Sequence, residues 1–423
     1  MRKLISWSVG IYFIYVLLII WYLFYFADTS IPKEFKGTSA DPATFLTPRE
    51  LMLSEQYSQI KNLLFFLAIP YDWLIYIVIL ALGLSRKFQE RATATTTWSA
   101  LQTAIYLFWL SLLVTVFTLP LNFIAYRLAK EYGINTQAFS HWLKDEVIDF
   151  WVNYVLMLII VSVLYWLIRK FEKRWWFYAW LLSIPFIVFL TFIQPIVIDP
   201  LYNDFYPLSD KELETKILTL AEQADIPAEH VFEVNMSEKT NALNAYVTGI
   251  GPNSRIVLWD TTLERLGEDE ILFIMAHEMG HYVMKHIYWG VAGYVLLTLI
   301  GLYVTNKLMK WVIQRWGVYL HIKNIKELNS LPLFLLLISL LSFSVSPLVN
   351  AVSRYEEHAA DQYAIELTKN AEAAISSFQE LTRAGLSQVN PPYLVKIFRY
   401  RHPTILERIV FLDTYEQRRE VDR

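Results

Sequence analysis

The 423-residue chain contains no cysteine. That excludes disulfides, thiolate catalysis and any metal site built on sulfur. Charge is scarce as well. Asp, Glu, Lys and Arg make up 18% of the residues, against about a quarter in soluble domains. The net charge of -3 provides no basic field, so nucleic acid is not an expected partner. The chain has no internal repeat and no low-complexity tract. This weighs against a transporter with repeated halves.

Apolar surface is abundant instead, at 55% hydrophobic residues with 15 Trp, 26 Tyr and 26 Phe. Amphipathic aromatics concentrate at membrane interfaces. Seven apolar runs lie roughly at 4–27, 62–84, 98–126, 150–168, 176–198, 287–306 and 331–350. A bilayer crossing takes about 20 residues. The first run follows Met-Arg-Lys, but Leu4 to Ala27 is too long for a signal-peptide core and lacks a small-residue cleavage site. It is expected to be a retained span. Pro120, Pro185, Pro195, Pro332 and Pro347 fall within spans, where they kink helices and are tolerated. Asn122, Asn153 and Gln194 either hydrogen-bond between helices or line a wet cavity.

Two stretches do not read as membrane. Residues 199–286 alternate helix and strand signals, with a helix over Lys211–Ala224, strands at Val231–Val234 and Arg255–Trp259, and a helix over Glu268–His286. Gly249-Ile-Gly-Pro252 reads as a turn between the strands. Residues 351–423 open with a helix over about Ser353–Lys369, and Arg401-His402-Pro403-Thr404 breaks the chain before another short helix. The expected division is 1–198 for spans one to five, 199–286 for an inserted catalytic part, 287–350 for spans six and seven, and 351–423 for the rest of the catalytic part.

Chemistry concentrates in His277-Glu-Met-Gly-His281. On a helix, positions i and i+4 share a face, so His277 and His281 can hold one ion, and neutral imidazole suits zinc. Glu278 beside them can act as general base. The neighbours Leu272, Phe273, Ile274 and Met275 are apolar. A buried helix has little reason to carry two histidines and a glutamate unless a metal compensates. A catalytic zinc wants a third protein ligand and one open position. The extended pattern with a further glycine and histidine fails, because 284 is Met and 287 is Ile. His286 is therefore expected at the membrane edge. Glu357 and Asp361 also stand at i and i+4. They are either a solvated acidic face or, with a cation between them, a third ligand (Glu357) and a carboxylate holding a ligand histidine (Asp361). Glu356 is turned about 100° away.

At this point the chain resembles a known family, the zinc-dependent CAAX prenyl endopeptidases. Ser353-Arg-x-x-Glu357-x-x-x-Asp361 and His277-Glu-x-x-His281 are similar to the two signatures of that family. So are Leu119-Pro120 with Arg127, Glu131, Gly133 and Gln137; Pro200 through Leu208; Asn244-Ala-Tyr246 followed by Arg255-Ile-Val-Leu; and His402-Pro403 with Glu407-Arg408-Ile409. The resemblance implies a mainly α, polytopic membrane fold: seven helices enclosing a chamber, capped by an α+β zinc domain. It implies one Zn2+ per chain on His277, His281 and Glu357. Asn244, Ala245 and Tyr246 would bind substrate, and His402 would steady the oxyanion or merely cap a helix. The segment Asn244–Thr248, broken by Gly249 and Gly251, suits an edge strand that pairs with an extended peptide.

The expected function is membrane-embedded endopeptidase activity near the carboxy terminus of prenylated CAAX-type proteins, with broader quality-control proteolysis as the alternative. A channel or transporter with a structural metal is a poorer fit, because Glu278 would have no task. A site-two protease is disfavoured because the chain has no Asp-Gly dipeptide. The expected setting is a multi-pass protein of a bacterial plasma membrane or of the endoplasmic reticulum, with peptide and lipid as its partners. Arg86, Lys87, Arg91, Arg169, Lys170, Lys310 and Lys326 collect on the amino-terminal side of the spans. The positive-inside rule then puts the amino terminus in the cytoplasm and the zinc domain opposite, whereas the resemblance to the eukaryotic members implies a cytosolic active site.

Overall fold

A computed structural model describes residues 2–193, 197–248 and 255–421. The expected turn at 249–252, Gln194 and Pro195 lie outside the described residues. In chain order the helices are α1 (Arg2–Trp21, continued by a π turn Tyr22–Phe26), α2 (Pro42–Phe45), α3 (Pro48–Ala81), α4 (Leu84–Thr95), α5 (Ser99–Glu131), α6 (Phe139–Lys170) and α7 (Trp175–Ile193). The mixed part follows with β1 (Phe205–Pro207), α8 (Lys211–Gln223), β2 (Val231–Val234), β3 (Ala245–Thr248), β4 (Arg255–Trp259), α9 (Asp260–Arg265) and α10 (Glu268–Val283). The chain closes with α11 (His286–Leu320), α12 (Leu331–Thr368), α13 (Ala371–Gly385), α14 (Tyr393–Phe398) and α15 (Ile405–Val421).

Six of these helices are long and apolar enough to cross a membrane, and the fifth apolar run forms the shorter α7. The protein is a mainly helical, multi-pass membrane protein. Its outward faces carry exposed Trp7, Ile11, Phe13, Leu18, Trp151, Trp166 and Leu296, surface that only lipid would cover without cost. Inward faces of α3, α5, α6 and α12 surround a cavity of about 610 Å³ lined by Asp72, Tyr76, Asn122, Glu146, Asp149 and Asn153. Asn122 and Asn153 thus do line a cavity, and Asn122 also donates to Glu146 at 3.2 Å.

Most spans run well past the bilayer because strong local signals extend them. At the start of α3, Thr47 and Glu50 form a capping box with Pro48 in the first turn, which satisfies orphan amides fourteen residues before the apolar run at 62. The seventh span and the Glu357 segment, expected as separate elements, are a single helix, α12. Pro347 does not end it, because a proline forfeits one backbone hydrogen bond and neighbouring helices hold the turn. Conversely, the segment Glu268–His286 is not one helix. Lys285 takes a left-handed conformation at φ 59° and separates α10 from α11, so α10 can turn away from the sixth span.

The four strands form one sheet in the order β1-β2-β4-β3. β2 and β4 are parallel and the outer strands antiparallel. Among the described residues β3 is therefore an edge. Asn244 accepts from the Trp259 amide at 3.1 Å, and Tyr246 stands opposite Val257. Strand alternation then turns the main-chain groups of Ala245 and Val247 outward, away from β4. The sheet packs on α8 and α10 through Ile217, Val231, Ala245, Leu258, Met275 and Met279. A second core joins Phe273, Ala364, Phe378, Ile409 and Leu412 with Ala40 from the segment before α3.

Candidate metal centre

α10 is held at its start by the Gly267 amide donating to Glu270 at 2.6 Å. Its first turn carries Glu268, Asp269 and Glu270, charges that complement the positive end of the helix dipole. α10 crosses α12 at close range. A Cβ on Gly280 would stand 3.3 Å from the Ala360 Cα and 3.2 Å from the Tyr363 ring. Only glycine lets the two backbones approach this closely without displacement. That approach brings together residues far apart in sequence.

His277 and His281 share one face of α10, and Glu357 of α12 meets them. The His277 and His281 Nε2 atoms are 3.2 Å apart. Glu357 Oε2 lies 3.2 Å from His277 Nε2, and Oε1 lies 3.4 Å from His281 Nε2. Three donors about 2.05 Å from a common tetrahedral centre would be separated by ~3.3 Å. The triad has that spacing. Glu357 Oε2 is buried; ring nitrogens of His277 and His402 stand close to it, but neither makes a well-aligned hydrogen bond, as suits an atom meant for a cation. The residues present fit a zinc-sized ion.

The other ring nitrogens face outward and are occupied. His277 Nδ1 meets Asp361 Oδ1 at 2.9 Å, with both side chains buried. Asp361 is in turn gripped by Arg408 of α15, whose Nε donates to Oδ2 at 2.8 Å and whose guanidinium stacks 3.9 Å over Phe378. His281 Nδ1 lies 2.9 Å from His286 Nδ1. His286, expected to end the preceding helix, instead begins α11, and it also backs a candidate ligand. Sequence reasoning missed that contact and the pairing of Arg408 with Asp361. Arg408 was named only within the Glu407-Arg408-Ile409 resemblance, and beyond that its signal was an arginine beside Ile409 and Leu412 on a helix face that turns out to be core.

Electrostatics follow from burial and these partners. Burial alone would depress the His277 imidazole, but hydrogen bonds to Asp361 and Glu357 more than offset it and lift it to about 9. A pocket that favours a positive imidazole favours a metal cation by the same field. Burial pushes the Glu278 carboxyl up from its ordinary range, with His277 and His281 opposing. No hydrogen bond from the described residues ties up Glu278, so its carboxylate is free to accept from a water.

His402 arrives from the far end of the chain. Its Nδ1 is 2.6 Å from Glu357 Oε2 and its side chain is largely exposed. The loop that carries it is clamped to α12: Arg354 donates to the carbonyls of Lys396 and Tyr400 at 3.1 and 2.8 Å, and Asn350 to that of Ile397 at 3.0 Å. Asn244 stands exposed just before the edge strand, Ala245 is buried, and burial pushes the Tyr246 phenol up to about 12. β3 packs against α10.

Comparison with known proteins places this geometry in a family. Residues 207–416 match the model described as peptidase family M48, and residues 22–204 match the CAAX prenyl protease N-terminal domain of five membrane helices. A Bacillus subtilis protein named uncharacterized metalloprotease YhfN is 56% identical over 409 residues, covering 97% of this chain and 96% of that one. A Dictyostelium discoideum protein named CAAX prenyl protease 1 homolog is 31% identical over 287 residues, 66% of each chain. The crystal structure of S. mikatae Ste24p superposes with a TM-score of 0.81 at 23% identity, over 97% of this chain and 98% of that one, which establishes the shared fold. The chain belongs to the membrane metalloproteases of peptidase family M48, together with the CAAX prenyl proteases.

Proposed function

We propose that the protein is a zinc endopeptidase that cleaves near the carboxy terminus of prenylated CAAX-type peptides. The observation that carries the reading is the convergence of two imidazoles and one carboxylate at tetrahedral spacing, with an unpaired carboxylate beside them. In this reading His277, His281 and Glu357 hold one zinc ion. Zinc, when bound, would supply Lewis-acid polarisation of the scissile carbonyl. Asp361 fixes the His277 ring and its tautomer, and Arg408 fixes Asp361.

Glu278 takes the proton from the attacking water and passes it to the departing amine. Its raised carboxyl suits both halves of that exchange. The peptide lies extended beside β3, bonding to the outward main-chain groups of Ala245 and Val247, with Asn244 and Tyr246 bounding the strand. His402, steadied by Arg354 through its loop, donates to the oxygen on which charge develops, a contribution of roughly 3 kcal/mol. The membrane helices keep an apolar modification close to the site.

A broader quality-control protease uses the same chemistry. An edge strand that grips main chain without regard to side chains favours it. Purified protein given a farnesylated CAAX peptide and its unprenylated twin separates the two readings. At least a tenfold higher kcat/KM on the prenylated peptide supports the first, and equal values support the second.

A further inference from the structure

Between α11 and α12 lies a second, apolar cavity of about 540 Å³. Its walls include Leu297, Ile300, Leu302, Phe334, Leu341 and Val345. Small residues open it: Gly301 and Ser346 stand on facing helices, and a Cβ on Gly301 would meet nothing within 4 Å. Along α12 it runs from Phe334 to Asn350, about 24 Å at 1.5 Å per residue. The shape is a long slot, within the volume range of small-molecule sites, about 300–1,000 Å³.

The slot ends short of the metal centre, at Asn350 and Arg401. Asn350, Arg354, Glu357 and Asp361 stand at i, i+4, i+7 and i+11, one stripe of α12, and Asn350 closes the slot while Glu357 faces His277. The separation is about 10 Å along the helix. Arg401 stands at the mouth, next to His402. It is exposed and pairs with no carboxylate among the described residues. The larger cavity is opposite in character, carrying Asp72, Glu146 and Asp149 on its walls. An anionic group would be repelled there and held at Arg401.

We infer that the slot between α11 and α12 receives a single hydrocarbon chain carried by the substrate, and that Arg401 pairs with the carboxylate that ends the same peptide. The inference rests on the proposed function and assigns its lipid and carboxylate subsites. The slot contributes affinity through each methylene removed from water, about fourfold apiece. Arg401 contributes direction, because a guanidinium binds a carboxylate through two parallel hydrogen bonds. Together they would set the peptide's register against β3.

The test uses the full chain with zinc in detergent. The probe is an isoprenylated peptide with a photoactivatable diazirine on its chain, made as free acid and as carboxy-terminal amide. Irradiation and peptide mapping should label the α11 and α12 segments around Gly301 and Leu341. The free acid should compete for labelling roughly 10- to 100-fold better than the amide. Arg401→Glu should erase that ratio, and Arg401→Lys should keep part of it. Gly301→Leu, which fills open space, should suppress labelling, with Ser346→Trp as a second block from the facing helix. Labelling around Tyr76 and Leu110 would overturn the slot assignment. An acid-to-amide ratio unchanged in Arg401→Glu would overturn the role of Arg401. Labelling displaced by phosphatidylglycerol as readily as by the free peptide would mark an ordinary bilayer-lipid site and overturn the inference. Labelling reads binding alone, so a slot that labels in a protein that does not hydrolyse peptides would refute the proposed function and leave the slot standing.

Discussion

Replacing Asp361 by Asn removes one negative charge and leaves the shape nearly unchanged, so its consequences can be worked from the structure. Asp361 is fully buried and serves two partners, His277 Nδ1 at 2.9 Å and the Arg408 guanidinium with Nε at 2.8 Å. Two losses follow with the same sign. His277 loses the carboxylate that orients its ring and raises its basicity, which costs roughly 10- to 100-fold in metal affinity. Arg408 becomes a buried cation without its hydrogen-bonded carboxylate, with Nη2 only 3.4 Å from His277 Nδ1, and it then repels any metal ion in the pocket. The sum should lie near the upper end, about 100-fold, or about 2.8 kcal/mol. The assay is a chelator-competition titration of zinc on detergent-solubilised protein whose folding is checked by gel filtration. Stability should fall as well, since an orphaned buried charge costs about 3–5 kcal/mol. The double variant Asp361→Asn with Arg408→Met should recover part of both losses, because it removes the orphan. Wild-type zinc affinity in Asp361→Asn would refute the reasoning, and so would a double variant weaker than the sum of the two singles.

Glu357→Ala should empty the metal site while Glu356→Ala keeps it, read by metal analysis of purified protein; zinc retained in the first would remove Glu357 from the ligand set. Glu278→Ala should keep zinc and lose turnover by about 10²- to 10⁴-fold, and near-normal cleavage would reject it as the base. Ala245→Pro should abolish cleavage with fold and zinc intact, because only an outward N–H is lost, whereas Tyr246→Pro should unfold the sheet by removing a bond to β4; normal turnover in Ala245→Pro would mean that the edge does not hold substrate. Because the chain has no cysteine, Lys87→Cys and Glu222→Cys report topology cleanly: an impermeant maleimide applied to intact cells should label the second and spare the first if the basic ends face the cytoplasm.

Much of this protein was legible in its sequence because the relevant periods are short. Apolar runs near the width of a bilayer announced the membrane helices, and i, i+4 spacing put His277 with His281, and Glu357 with Asp361, on shared helix faces. The strands Val231–Val234 and Arg255–Trp259 were equally local and appear with those bounds. Folding alone decided what depends on separation. Arg408 reaches Asp361 across 47 residues and His277 across 131, and no local pattern says which buried partner an arginine will find. His286 meets His281 only because Lys285 turns left-handed between their helices. The span that ends near 350 runs on unbroken to Thr368, since packing against α10 and α3 outweighs what a proline at 347 removes. The sequence therefore determined which side chains could hold a metal. The crossing of α10 and α12 at Gly280, a long-range packing decision, determined that they meet.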